Sequence, residues 1–257
     1  MIPLKDNIPT LRFPVLTVAL IVLNVGMYFF FQQGGLAFGQ PTGEHYLETV
    51  VEYGSIPYEI THPGEQCVQP GAGEEACVDG EDTGLASTWL TLLTSMFMHG
   101  GLFHLAGNML FLWIFGNNIE DSMGRLKFVA FYLLGGLAAT LAQTVIDTGS
   151  TVPSIGASGA VAAVLGGYAL LYPRARVVTL VILIVFITLI ELPALLVLGM
   201  WFLFQLYDAS QPATGDGGGI AYFAHIGGFV FGLAMIRLFA DRENPNYGSY
   251  NPRPGVY

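Results

Sequence analysis

Ser154-Ile155-Gly156-Ala157-Ser158-Gly159-Ala160 opens an apolar run that continues to Tyr172. A run of this length and composition reads as a membrane helix, with its small residues gathered at one end. Small-residue clusters in membrane helices are commonly packing surfaces, because they let backbones approach closely. A serine here has a second reading. The first N–H groups of a helix lack intrahelical acceptors, and that end carries the positive pole of the dipole. Ser158 would then be a nucleophile beside donors suited to an oxyanion. The stretch is not a G-x-S-x-G elbow, because Gly159 follows Ser158 directly and no strand precedes it.

The rest of the chain fits a membrane setting. Of its 257 residues, 53% are hydrophobic and 11% charged, and the mean hydropathy is +0.57. Soluble domains carry about 25% charged residues. Apolar runs near the ~20 residues needed to cross a hydrocarbon core recur at roughly 13–31, 102–119, 127–147, 157–172, 192–207 and 219–238. The expectation is an all-α polytopic membrane protein of six transmembrane helices forming one domain, 1–257. A long outer loop, 32–88, separates spans 1 and 2, and a cytoplasmic tail covers 240–257. All nine Lys and Arg fall on one side of these spans, which marks that side and both termini as cytoplasmic. The net charge of −10 does not suggest nucleic acid. The N-terminal run is read as a retained anchor, since Gln32-Gln33-Gly34 offers no convincing cleavage site.

The outer segment 32–88 holds ten of the nineteen acidic residues. Tyr46, Leu47, Val50, Val51 and Tyr53 recur at helical spacing, as in a short amphipathic interfacial helix. Cys67 and Cys77, the only cysteines, are expected to close a disulfide, as such pairs do outside the cytoplasm. His45 and His62 are read as solvated. Asn24 is expected to bond between helices, and Glu120 to pair with Arg125 at the cytoplasmic boundary. Glu191-Leu192-Pro193 divides the run from Val177 to Gln205. The true fifth span follows it, with Glu191 as a helix cap, and 177–190 is interfacial or partly re-entrant. A single long, kinked span is the alternative.

Polar residues within spans are costly and are functional candidates by default. His104 and Asn108, four apart, share a helix face, and His99 falls in the entry turn before them. Ser158 opens the fourth span. His225 lies three residues before Gly228, which pairs with Gly232 as a GxxxG close-packing motif. With the outer face assigned, these residues fall in the outer third of the membrane on three helices. The spacing suggests a Ser158–His225 dyad, with the histidine as the base that a weak hydroxyl nucleophile needs. No carboxylate at that depth orients the imidazole. His104 and Asn108 can add side-chain donors for an oxyanion.

Together these residues resemble the rhomboid family of intramembrane serine proteases. The matching pieces are His99-x4-His104-x3-Asn108, Gly116-x3-Glu120-x3-Gly124, Gly156-Ala157-Ser158-Gly159 and Ala224-His225-x2-Gly228-x3-Gly232. The resemblance implies a rhomboid-like bundle in which Ser158 is the nucleophile and His225 the base and acid. His104 and Asn108 would complete the oxyanion hole, with His99 and Gly156 supporting the site. It implies substrate entry between spans 2 and 5, with Trp201, Phe202 and Phe204 as gate candidates or as lipid-facing aromatics. Many members stack an aromatic residue, four after the serine, on the imidazole; here that position is Ala162, and Phe223 is a candidate substitute. The acidic, cysteine-bearing insertion is not a general family feature.

The expected activity is endopeptidase cleavage in or near transmembrane segments of membrane proteins, without metal or organic cofactor. The expected partners are such substrates and the lipid bilayer. The alternatives are an inactive rhomboid-like binder, although both Ser158 and His225 are retained, and a small-solute transporter, which inverted repeats would favour. No H-E-x-x-H motif supports a metalloprotease. A prokaryotic plasma membrane is the expected location, with the site opening to the outer face.

Overall fold

Most of the apolar runs fold as helices, in which the backbone bonds are satisfied within the segment. The structure, a computed structural model, describes residues 2–36, 38–71, 74–80, 83–183, 186–210 and 221–241. The expected tail from 242 onward and the start of the sixth span at 219 lie outside them. Strand β1 (Ile2–Asp6) leads into α1 (Val15–Gly26), which a π turn prolongs to Phe31. The outer segment carries α2 (Glu44–Tyr53), α3 (Pro57–Thr61) and the hairpin β2–β3 (Glu65–Gly71, Glu74–Asp79). Then come α4 (Thr88–Thr94), α5 (Leu102–Phe111) and α6 (Asn117–Met123), the last two joined by a π turn. The chain continues through α7 (Arg125–Ile146), α8 (Ser158–Leu171), the hairpin β4–β5 (Arg176–Leu183, Phe186–Pro193), α9 (Ala194–Ala209) and α10 (Tyr222–Phe239). The fold is thus mostly helical, with two small sheets that an all-α reading did not include.

Helix α8 is the centre of the bundle. Every residue from Gly159 to Ala169 is buried, as expected of a helix that is apolar all round. Its small residues admit α10 at backbone distance. A Cβ at Gly228 would run into the Gly159 carbonyl oxygen, one at Gly232 into the Ala163 carbonyl, and one at Gly166 into the Phe229 carbonyl. On the other side α7 approaches as closely, with Gly135 against the Ala163 methyl. Among the described residues two helices, α7 and α10, are long and apolar enough to cross a membrane. The pair formed by Thr88–Phe97 and Leu102–Met123, bent by 78°, is a third where the two count as one broken span, while α1 with its π turn, α8 and α9 are shorter apolar helices.

Several expectations are corrected. The run 177–190 is not part of a single long fifth span, since α9 begins only at Ala194. It is an antiparallel hairpin, paired from Arg176↔Pro193 to Leu183↔Phe186, and β1 adds on the far side of β4. Its density of Val, Ile and Thr favours strand, and Pro193 ends the ladder and starts α9. Glu191 is therefore a strand residue, half exposed and 3.7 Å from Arg176, rather than a helix cap. Glu120 does not pair with Arg125. It is buried and caps α1, accepting from Leu16 N–H (3.1 Å), Thr17 N–H (2.8 Å) and the Thr17 hydroxyl (2.8 Å). Asn24 donates to the Leu20 carbonyl of its own helix at 2.7 Å, and its side chain also meets the Tyr132 hydroxyl on α7, the contact between helices expected of it. Where the sheet meets the bundle, Asp6 is buried and accepts from the Tyr168 hydroxyl (2.5 Å) and Asn118 Nδ2 (2.7 Å).

Cys67 and Cys77 do form a disulfide, with an S–S distance of 2.04 Å. They face one another across β2–β3. Glu59 is buried and accepts the Cys67 N–H at 2.9 Å. Burial pushes its carboxyl above the usual range, and that backbone bond partly offsets the shift. His45 and His62 are exposed, and His62 stacks on Tyr58 with ring centroids 3.9 Å apart.

Candidate active site

The geometry begins with the loop that leads into α8. The outer segment holds that loop from one side: Ser55 N–H bonds the Ser154 carbonyl at 3.1 Å, and Ser154 N–H returns the bond at 2.8 Å. From the turn after α4, the Ser95 carbonyl accepts Gly156 N–H at 2.9 Å. Gly156 sits at φ +138°, a conformation open to glycine. A Cβ there would lie 2.8–2.9 Å from the His104 ring and 3.2 Å from Ser158 Oγ. The missing side chain thus keeps free the gap between hydroxyl and imidazole. Ser158 is the first residue of α8, so the N–H groups of this first turn have no intrahelical acceptor.

Ser158 Oγ lies 2.8 Å from His225 Nε2, on α10. The α8–α10 glycine contacts set that separation, and both side chains remain partly exposed. His225 has a further partner that sequence reading missed: Gln205 Oε1, on α9, lies 2.6 Å from Nδ1. No carboxylate was expected there and none is needed, because the amide oxygen is a sufficient acceptor. A single Gln near the end of an apolar helix gave no periodic or motif signal. The aromatic expected from the resemblance also comes from α9. Trp201 lies 5.9 Å from the His225 ring at 38°, and Tyr222 is edge-on at 6.5 Å. Phe223 makes no ring contact with it among the described residues. Ala162 is fully buried against the α10 seam, 3.2 Å from where a Gly228 Cβ would stand, so an aromatic side chain has no room there. Trp201 and Phe202 both pack on Phe229 rather than facing lipid, whereas Phe204 is exposed.

His104 and Asn108 lie one turn apart on α5. His104 Nδ1 accepts Gly100 N–H at 3.2 Å, which places the ring proton on Nε2, 2.9 Å from where a Gly156 Cβ would stand. Asn108 is buried, and its Nδ2 has no acceptor among the described residues. His99 is buried in the turn before α5, edge-on to His104 with centroids 5.2 Å apart. Its backbone is held by Gln32, which accepts His99 N–H (2.8 Å) and donates to the His99 carbonyl (3.2 Å), and by Tyr46, whose hydroxyl reaches the same carbonyl at 3.1 Å. Beside Ser158 is a cavity of about 40 Å³ lined by Ser55, Thr140, Gln143 and Ser154. Met96, Ala139 and Ile155 complete its largely apolar wall; Gln143 Oε1 and Ser55 Oγ have no partner among the described residues, and a space of this size with those two acceptors has room and bonds for a water. Among the described residues no three His, Cys, Asp or Glu side chains converge as metal ligands.

Comparison with known proteins agrees with this architecture. The chain is 32% identical over 151 residues to the bovine (Bos taurus) presenilin-associated rhomboid-like protein, mitochondrial, covering 56% of this chain and 37% of that one. It is 31% identical over 159 residues to the Bacillus subtilis rhomboid protease GluP, covering 62% and 24%. With rhomboid protein 1, mitochondrial, of Saccharomyces cerevisiae it shares 31% over 151 residues, covering 56% and 40%. The chain therefore spans less than half the length of each of these relatives. They divide between mitochondrial and bacterial proteins, and so do not support the prokaryotic plasma membrane expected above. A family model described as the rhomboid domain matches residues 86–242, the region that contains α4 to α10, and the chain belongs to the rhomboid family.

Proposed function

We propose that this chain is an intramembrane serine endopeptidase. The observation that carries the reading is the pair Ser158 Oγ–His225 Nε2 at 2.8 Å, beside the gap that Gly156 leaves toward His104 Nε2. In the first step His225 Nε2 takes the Ser158 proton while Oγ bonds the scissile carbonyl carbon. The carbonyl oxygen becomes an oxyanion in the gap, bonded by His104 Nε2–H, Asn108 Nδ2–H and the first N–H groups of α8. Collapse breaks the C–N bond, and His225 returns its proton to the leaving amine. Water from the cavity beside Ser158 then gives a proton to His225 as its oxygen bonds the acyl carbon; the C–Oγ bond breaks, His225 returns that proton to Ser158 Oγ, and the acid is released. The name of the bacterial relative, a rhomboid protease, supports the reaction class. The fold supports six spans, with α1, α8 and α9 as short members. The one-sided basic residues support cytoplasmic termini and a site open to the opposite face. The substrates are transmembrane proteins reached within the bilayer.

The test is labelling of the purified protein with a fluorescent fluorophosphonate, beside Ser158→Ala and His225→Ala, with cleavage of a transmembrane substrate measured in parallel. Labelling and cleavage by the wild type alone are expected. Ser158→Ala that still cleaves at the wild-type rate would sink the reading.

A further inference from the structure

One side chain hydrogen-bonded to His225 has no role in the steps above. Gln205 is buried in α9, with Oε1 2.6 Å from His225 Nδ1. Its Nε2 points to the Trp201 carbonyl four residues earlier, at 3.5 Å. That second contact agrees with the amide standing oxygen-first against the ring. With oxygen toward Nδ1, the imidazole must carry its proton there and donate it. Nε2 is then bare and able to take the proton of Ser158. The reversed amide would present N–H to Nδ1 and push the ring proton to Nε2, leaving a donor where a base is required.

Trp201 and Gln205 lie one turn apart on the same face of α9. One covers the imidazole ring and the other holds its edge. Neither takes part in the glycine contacts between α8 and α10 that set the Ser158–His225 separation. The opposite face of α9 is exposed at Leu195, Leu196, Leu203 and Phe204. We infer that Gln205 is a positioning residue that fixes the His225 tautomer, so that the seating of α9 decides whether the serine has a base. The inference rests on the protease reading above. It adds a third helix to a site whose two reacting side chains lie on the other two.

The full-length protein is assayed with a transmembrane substrate as wild type, Gln205→Met, Gln205→Glu and Ser158→Ala, with 15N-histidine spectra recorded for each. Gln205→Met keeps the shape and removes the acceptor. Its kcat is expected to fall about 10- to 100-fold with KM unchanged, and its His225 signals are expected to change from a single Nδ1–H tautomer to a mixture. Gln205→Glu keeps an acceptor oxygen at the same reach and is expected to retain most of kcat and the Nδ1–H signal. Wild-type kcat in Gln205→Met while Ser158→Ala is silent would overturn the inference and leave the protease reading intact. If Gln205→Met does not fold, the wild-type spectrum decides, because an Nε2–H tautomer there overturns it as well. A wild type that neither cleaves nor labels, yet shows a tautomer that depends on Gln205, would remove the protease reading and uphold the positioning role.

Discussion

At the residue scale the site depends on one absent side chain. Gly156 combines a positive φ with a gap that a methyl group would fill. Gly156→Ala is expected to cost roughly 1–3 kcal/mol in backbone strain. It is expected to lower turnover about 100-fold or more by crowding the oxyanion position. Turnover together with the unfolding temperature separates the two effects, and an alanine variant with wild-type turnover would show that the gap is not used. Ser158, His104, Asn108 and His225 were legible in the sequence because polar residues are scarce and expensive in apolar spans. Gln205 was not. Its meaning depends on which way α9 turns, and a helix that is apolar all round gives no phase from which to read that. Gln32 was hidden for a related reason, since it acts on the His99 backbone and not through any spacing that chemistry dictates.

At the element scale, Glu120 joins α6 to the start of α1 with a buried carboxylate and three donors. Glu120→Ala leaves those donors unpaired and is expected to cost roughly 2–4 kcal/mol. Glu120→Gln, which keeps acceptor oxygen, is expected to lose less. Thermal unfolding in detergent gives both values, and equal losses in the two variants would refute the capping role. Gly228→Ala forces α10 off the Gly159 carbonyl and is expected to lower stability and serine labelling together. Six helical segments were readable from apolar length, and the α8–α10 seam from small-residue spacing. The sheet was not. In a half-buried strand, alternation of apolar and polar residues betrays the fold, but β4 and β5 are apolar almost throughout, and Ile187, Leu189 and Ile190 of β5 are all exposed. An unbroken apolar run of that kind reads as a membrane segment.

At the scale of the whole molecule, Asp6 ties the N-terminal strand to the far end of the helix that begins with Ser158. Burial raises its carboxyl from 3.8 to about 7, against the opposing effect of the Tyr168 hydrogen bond. The folded-state value lies above that of the unfolded chain. The stability it contributes is therefore whole below the unfolded value and is lost as pH rises through about 7. The wild type is expected to lose stability between pH 5 and 8, by on the order of a few kcal/mol, relative to Asp6→Asn, whose amide does not titrate. Parallel unfolding curves for the two proteins across that range would exclude the effect. The outer segment has a different chemical dependence. A bond between Cys67 and Cys77 survives where thiols are kept oxidised, and the segment that carries it also grips the loop before α8 through Ser55 and Ser154. If the protease reading holds, the compartment whose redox poise keeps those sulfurs joined is expected to be the one that wets Ser158. An alkylating reagent that adds no mass to sealed vesicles until an impermeant reductant is supplied would report on which side that segment lies.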